Sequence, residues 1–181
     1  MNNHIILKGK LVTLRPLSLK DAPNFCRWFD DLEVTTYLAR YNNAAPSLKE
    51  EREYIKDIKK KKNYLNFSID TRAGEHIGTV SLLKIDFDNK HAEYGILIGE
   101  KKYWGQGYGT EAGKLIIDYG FKKLKLHRIF LRHVAYNFRG HKSYLKLGFK
   151  QEGVSRQHSF RNGHWHDEIM MGMLRDEYLK K

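Results

Sequence analysis

The segment Tyr103-Trp104-Gly105-Gln106-Gly107-Tyr108-Gly109-Thr110-Glu111-Ala112 sets three glycines at alternate positions, immediately before a run with helical spacing. Glycine lacks the Cβ that keeps an anion away from the backbone, and it tolerates the left-handed conformations of tight turns. The N–H groups of a first helical turn have no partner inside the helix, and the helix dipole favours negative charge beside them. The pattern therefore predicts a strand, a glycine turn and a helix whose N terminus cradles a phosphate. A tight turn that holds nothing would use the same glycines, so this segment alone leaves both uses open. Two other phosphate patterns fail on spacing. GxGxxG needs glycine where Thr110 stands, and GxxxxGK[ST] needs glycine at Tyr108 and Ser or Thr at Leu115.

The surrounding chain reads as mixed α/β. A first strand should run through Leu11–Pro16, followed by a helix capped by Ser18 with Asp21 three residues on, carrying Ala22, Phe25, Trp28, Phe29 and Leu32 on one face. Ser47 and Glu50 form a clearer capping box, with Leu48, Ile55 and Ile58 on one face and the lysines at 59–62 at the negative end of the dipole. The loop from Tyr37 to Ala45 between these helices is expected to face a substrate, although an ordinary connector would have a similar composition. Leu65–Asp70, His76–Leu83 and Ala92–Ile98 are joined by short polar turns and read as an antiparallel meander. A helix from Thr110, a strand at Ile129–Val134, a helix from Gly140 to Leu147 and strands at Lys150–Gln157 and His164–Met173 complete the order. About seven strands and about four helices are expected, in one domain spanning residues 1–181, as a largely antiparallel sheet with a parallel crossover through the helix after the glycines.

Thirty-three Lys and Arg against 21 Asp and Glu give a formal charge of +12, which favours anionic partners such as nucleic acid, an acidic surface or a phosphate-rich cofactor. The basic residues are spread along the chain with no nucleic-acid-binding pattern, so RNA or ribosome association is a secondary expectation. Apolar runs such as Leu115-Ile116-Ile117 are too short to cross a bilayer, and a soluble, cytoplasmic protein is expected. The single cysteine, Cys26, shares an apolar helical face with Ala22 and Phe29 and reads as a small core residue.

Downstream lies Asn137-Phe138-Arg139-Gly140-His141-Lys142-Ser143-Tyr144-Leu145-Lys146-Leu147-Gly148-Phe149. Taken with the glycine segment, it resembles the GNAT superfamily of N-acetyltransferases. There the first motif is Arg or Gln, two residues, Gly, one residue, Gly or Ala, and the second is Asn-x-x-Ala-x-x-x-Tyr-x-Lys-x-Gly-Phe. Trp104 stands where the family has Arg or Gln, and Gly140 where it has a small alanine or serine. The resemblance implies acetyl-CoA held by Trp104, Gly105, Gln106, Gly107, Tyr108, Gly109 and Thr110. It further implies that Asn137 orients the pantetheine arm or a water and that Arg139 and Lys142 meet the 3′-phosphate. Tyr144 would protonate the departing thiolate; from spacing alone an aromatic core residue fits it equally.

Glu93 alternates with Ala92, Tyr94 and Ile96, so it should leave the sheet on the face opposite Tyr94 and Ile96. In the family a glutamate on this strand often deprotonates the amine; a plain surface glutamate is the competing use. The stretch Phe160 to Glu168 resembles the hairpin of the ribosomal-protein N-terminal acetyltransferase branch, and Asn162-Gly163 is a strong two-residue turn by itself. That branch implies a protein or peptide α-amine as acceptor, with a polyamine, amino acid or aminoglycoside next. A non-catalytic acyl-CoA-sensing or RNA-binding module is the alternative of a different class. With no cysteine in either motif, direct attack in a ternary complex is expected. His164 and His166 share a strand face beside Asp167, but no metal is expected. The aromatic last strands could pair across a homodimer.

Overall fold

A computed structural model describes residues 5–38 and 45–180. Eight strands form one sheet in the order β1-β2-β3-β4-β5-β6-β8-β7. They are β1 (Leu7–Lys8), β2 (Val12–Pro16), β3 (Leu65–Thr71), β4 (His76–Asp86), β5 (His91–Ile98), β6 (Arg128–Val134), β7 (Lys150–Arg161) and β8 (His164–Leu174). All neighbours are antiparallel except β5 and β6, which run parallel and are joined by the crossover helix α4 (Tyr108–Lys122). The other helices are α1 (Ala22–Asp30), α2 (Leu32–Thr35), α3 (Leu48–Lys60), α5 (Phe138–Leu147) and α6 (Arg175–Leu179).

The mixed, mostly antiparallel architecture matches the expectation, with one strand and two helices more. The strand β1 is two residues long and carries no readable alternation. The helix expected from Ser18 to Leu32 is divided. Ser18 and Asp21 do form a capping box, but around a short 3-10 turn, Leu19–Asp21, and Pro23 lies in the first turn of α1. At Asp31 the backbone becomes extended, and the Asp31 carboxylate accepts the Glu33 N–H to start α2. Leu32 consequently leaves the apolar face and is 71% exposed. The Ser47–Glu50 capping box forms as expected, with Ile55 and Ile58 buried and Leu48 at the rim. Cys26 is half-buried rather than core, and burial together with the nearby Glu51 carboxylate pushes its thiol up, away from the reactive thiolate.

The two faces of the sheet bury different clusters. On one, Phe67, Ile69, Val80, Leu82, Tyr94 and Ile129 pack under Ala112, Ile116, Ile117 and Phe121 of α4. On the other, Leu97 meets Phe25 and Trp28 of α1 and Ile55 and Ile58 of α3. Strand alternation produces this division, since Ile96 and Ile98 belong with the first cluster and Leu97 with the second. Gly99 admits α1 to this end of β5: a Cβ there would lie 2.0 Å from the Trp28 ring.

The start of α4 is fixed by a contact with no local sequence signal. The Glu111 carboxylate accepts the N–H groups of Lys10, Leu11 and Val12 at 2.9, 2.7 and 2.9 Å, tying the β1–β2 turn to the first turn of α4. A buried network does similar work on the opposite side. Asp21, 3% exposed, accepts hydrogen bonds from both Arg15 terminal nitrogens and from the Ser68 hydroxyl. Burial opposes its charge, but the bonds from Arg15 and Ser68 prevail and hold its carboxyl below the usual range.

Candidate active site

The strands β5 and β6 pair over only three rungs, His91–Arg128, Ala92–Ile129 and Glu93–Phe130. Beyond Glu93 and Phe130 they part, and β5 runs on to Ile98 while β6 runs on to Val134. A cleft of about 500 Å³ lies at this end of the sheet. Its walls come from the end of β5, the glycine segment, the first turns of α4 and α5, and Val34, Tyr37 and Leu38 after α1.

Of the residues singled out from sequence, Trp104, Gly105, Gly107, Gly109, Thr110, Asn137, Arg139, Lys142 and Tyr144 line the cleft. Gln106, Tyr108 and Glu93 lie outside that lining. The Gln106 amide donates to the Lys102 carbonyl, and the Tyr108 ring packs on Tyr103 with centroids 4.8 Å apart. Glu93 is half-buried and paired with Lys84, Nζ to Oε2 2.8 Å. It occupies the last rung before the strands separate, on the face opposite Tyr94.

Gly107 is the N-cap of α4, in the left-handed region at φ +90°, and no side chain caps it. Glu111, the acidic residue of that first turn, is engaged with the β1–β2 turn instead. Beside it Gly105, at φ +74°, has open space where a Cβ would project. The first N–H groups of α4 are therefore left without a side-chain cap where Gly105, Gly107, Gly109 and Thr110 line the cleft. These residues fit the pyrophosphate of a CoA thioester.

The N terminus of α5 is built differently, because the Asn137 side chain accepts the Gly140 N–H at 2.9 Å and so caps its own helix. A Cβ at Gly140 would meet the Asn137 amide at 2.6 Å, which explains glycine where the family motif has alanine or serine. Thr110 and Ser143 hydroxyls, 3.1 Å apart, join α4 to α5.

Tyr144 projects from the last half of α5 against Tyr94 on the sheet, ring centroids 6.2 Å apart and edge to face. Burial pushes its hydroxyl up to about 12, so it carries its proton throughout the neutral range. Behind it lies His133, buried at 4% exposure, with ring centroids 5.4 Å apart. His133 Nδ1 donates to the Val134 carbonyl at 2.9 Å, which leaves Nε2 to accept from His141 Nδ1 at 3.1 Å. Burial lowers the His133 pKa, so the ring stays neutral.

The remaining wall was scarcely readable from sequence. Trp104 donates its indole N–H to the Ile98 carbonyl at 2.7 Å, and the Arg139 guanidinium stacks on its ring, 3.6 Å from the centroid. Tyr37 lies on the same guanidinium at 5.6 Å, and Tyr136 connects Tyr37 to His166 of the last hairpin at centroid distances of 6.1 and 4.8 Å. Val34 and Leu38 also line the cleft and belong to no motif, whereas Ser143 and Lys146 fall within the second motif without having been given a role; strand alternation could have pointed to Ile96 and Ile98. Residues 39–44 of the loop expected to face a substrate lie outside the described residues. Asp167 accepts the Gln157 N–H at a bulge of β7 and projects from the strand face opposite His164 and His166.

The profile of the acetyltransferase (GNAT) domain matches residues 12–150. The chain belongs to the GNAT acetyltransferases. It is an N-acetyltransferase whose acyl donor is acetyl-CoA. The uncharacterized N-acetyltransferase p20 of Bacillus licheniformis is 33% identical over 173 residues, 92% of this chain and 94% of that protein. The spermidine N(1)-acetyltransferase of Escherichia coli K12 is 37% identical over 106 residues, 59% of this chain and 56% of that protein. Among solved structures, the spermidine N-acetyltransferase of Vibrio cholerae in complex with CoA and spermine superimposes with a TM-score of 0.87 at 25% identity, over 94% of this chain and 99% of that one. No described helix is long and apolar enough to cross a membrane.

Proposed function

We propose that this chain is a single-domain N-acetyltransferase that acetylates the α-amine of a protein or peptide, with Glu93 and Tyr144 working from opposite faces of the sheet. One observation carries the catalytic assignment. Glu93 is the last paired residue of β5 before the gap, and Tyr144 packs on its neighbour Tyr94 from the other face, so the two side chains flank the vertex of the opening.

Bound acetyl-CoA supplies an acetyl group already activated as a thioester. The N–H groups at the start of α4 hold its pyrophosphate, Lys142 offers positive charge to the remaining phosphate, and Asn137 orients the pantetheine arm. An aliphatic amine is mostly protonated near neutral pH and attacks only as the free base. Glu93 takes that proton, the nitrogen bonds to the acetyl carbon, the carbon–sulfur bond breaks, and Tyr144 gives its hydroxyl proton to the sulfur. The attacking nitrogen sheds its second proton to solvent as the amide forms, and solvent then takes the proton held by Glu93 and reprotonates the tyrosine, leaving the acetylated amine and CoA.

The α-amine acceptor is supported by the likeness of the Phe160–Glu168 hairpin to the ribosomal-protein branch and by the ring contacts that connect Tyr37 of the cleft through Tyr136 to His166 of that hairpin. The overlap with the spermine-bound Vibrio cholerae structure favours a small polyamine as the second reading. CoA release from acetyl-CoA, measured across peptides of varied first residue, polyamines, aminoglycosides and free amino acids, separates the two. Peptides should give the highest kcat/KM; a polyamine in first place overturns the α-amine assignment.

A further inference from the structure

The cleft has a charge character that the cofactor phosphates and the catalytic pair use only in part. Among the described residues no Asp or Glu lines it, whereas Arg139, Lys142 and Lys146 do. Carboxylates of the segments that flank the lining residues Val34 and Tyr103 in sequence are already engaged by this chain's own donors. Lys101 pairs with both Asp31 and Glu33, Glu100 accepts from Arg27 and the Trp28 indole, and Glu75 from Lys102 and Tyr103. Among the described residues of the lining a polycationic acceptor would find no carboxylate.

The opposite holds for an anion. The Arg139 guanidinium is stacked on Trp104 at 3.6 Å from the ring centroid, with the Tyr37 ring 5.6 Å away. Trp104 is itself pinned through its indole N–H, and the Tyr37 side is supported by Tyr136, whose hydroxyl donates to the Thr36 carbonyl at 3.1 Å. Stacking occupies the faces of a guanidinium and leaves its in-plane N–H fork available, the geometry that takes a carboxylate bidentately. No hydrogen bond or ion pair to that fork is found among the described residues.

We propose that Arg139 is a specificity-determining residue of the acceptor side, anchoring a carboxylate next to the reacting amine, and that the cleft discriminates against polycationic amines. The inference rests on the α-amine reading and narrows it to acceptors with an anionic group close to the amine. A peptide with an acidic residue near its start and a free amino acid share this chemistry.

The test is calorimetric titration of the protein saturated with CoA, so that binding is read without turnover. The ligands are C-terminally amidated peptides identical except for Glu, Gln or Lys at the second residue, together with free serine and spermidine. The Glu peptide should bind about tenfold or more tightly than the Gln peptide, as expected for one charge-assisted hydrogen-bonded contact. The Lys peptide and spermidine should bind weakest. Arg139→Gln should abolish the Glu-over-Gln preference in protein saturated with CoA, and Arg139→Lys, which keeps charge but loses the stacked fork, should restore it only partly.

Serine binding as tightly as the Glu peptide identifies the amino acid's own carboxylate as the source. Preference for spermidine or the Lys peptide overturns the proposal, as does an Arg139→Gln variant that loses CoA affinity and keeps the peptide order, which makes Arg139 a cofactor-phosphate ligand. Turnover of the same ligands separates this from the α-amine reading: binding in the expected order with no acetylation of any α-amine ends that reading and leaves the charge rule standing.

Discussion

The two walls of the cleft are made of different materials. On the α4 side the ligand-facing groups are backbone N–H groups, held by a glycine at φ +90°, a buried helix face beneath and the Glu111 clamp behind. On the other side they are side chains, with Tyr37 and Arg139 in the lining and Tyr136 and His166 behind them, arriving from three separate segments and held by ring contacts of 4.8 to 6.1 Å. A pyrophosphate common to every CoA ester suits a fixed cradle. An acceptor that varies from relative to relative suits a wall whose residues can change without disturbing a helix.

The largest effects should come where the walls meet. Tyr144→Phe removes one hydroxyl and little volume, so acetyl-CoA affinity should hold while turnover falls by about 10² to 10⁴-fold, the usual contribution of general acid catalysis. Because burial disfavours the phenolate and lifts the hydroxyl to about 12, the proton donor is present below that value and its loss appears only above it. The alkaline side of the wild-type pH–rate profile should therefore show no fall due to Tyr144 short of that range. Unchanged single-turnover rates in the phenylalanine variant would make Tyr144 a packing residue. Glu93→Gln should reduce kcat/KM by about 10²-fold near neutral pH and recover in part as pH rises and more free amine forms. A variant whose pH–rate profile matches the parent would place the base elsewhere.

A smaller effect is expected on the cofactor wall alone. Gly107→Val puts a β-branched residue at φ +90°, where left-handed backbone costs about 1–2 kcal/mol before any crowding of the ligand. Acetyl-CoA affinity should fall by about tenfold or more with the melting transition still cooperative. Intact affinity in a folded variant would mean that the pyrophosphate is not held at this turn, and the contrast between the walls would lose its cofactor half.

The same contrast explains what could be read in advance. Backbone-determined features were legible: the glycine turn, the Ser47–Glu50 capping box, and the two-residue hairpin at Asn162-Gly163, where both φ values are positive as a type I′ turn requires. Features made by distant side chains were not. Nothing near Glu111 announces that it will bind the backbone of residues 10–12, about a hundred positions away. Nor does an arginine in the α5 motif announce a partner at Trp104, since stacking leaves no spacing rule in one sequence. The break at Asp31 was missed because its neighbours keep helical periodicity while Asp31 uses its carboxylate to begin a new turn.

The smallest predicted effect tests whether the walls are independent. The Tyr136 hydroxyl donates to the Thr36 carbonyl at 3.1 Å in an exposed setting, which links the end of β6 to the chain segment carrying Tyr37. A neutral hydrogen bond contributes about 0.5–1.5 kcal/mol, and competition from water places this one at the lower end. Tyr136→Phe keeps the ring that packs on Tyr37 and His166, so the wall should loosen without collapsing. The acceptor KM should rise about two- to fivefold, the equivalent of that lost bond, with acetyl-CoA affinity and thermal stability unchanged. Steady-state kinetics with acceptor varied at saturating acetyl-CoA, set beside calorimetry of acetyl-CoA alone, reads both walls separately. A parallel loss of acetyl-CoA affinity would show that the aromatic wall and the glycine cradle act as one unit, because a hydroxyl remote from the α4 N terminus can reach the cofactor only through the stacked Tyr37, Arg139 and Trp104.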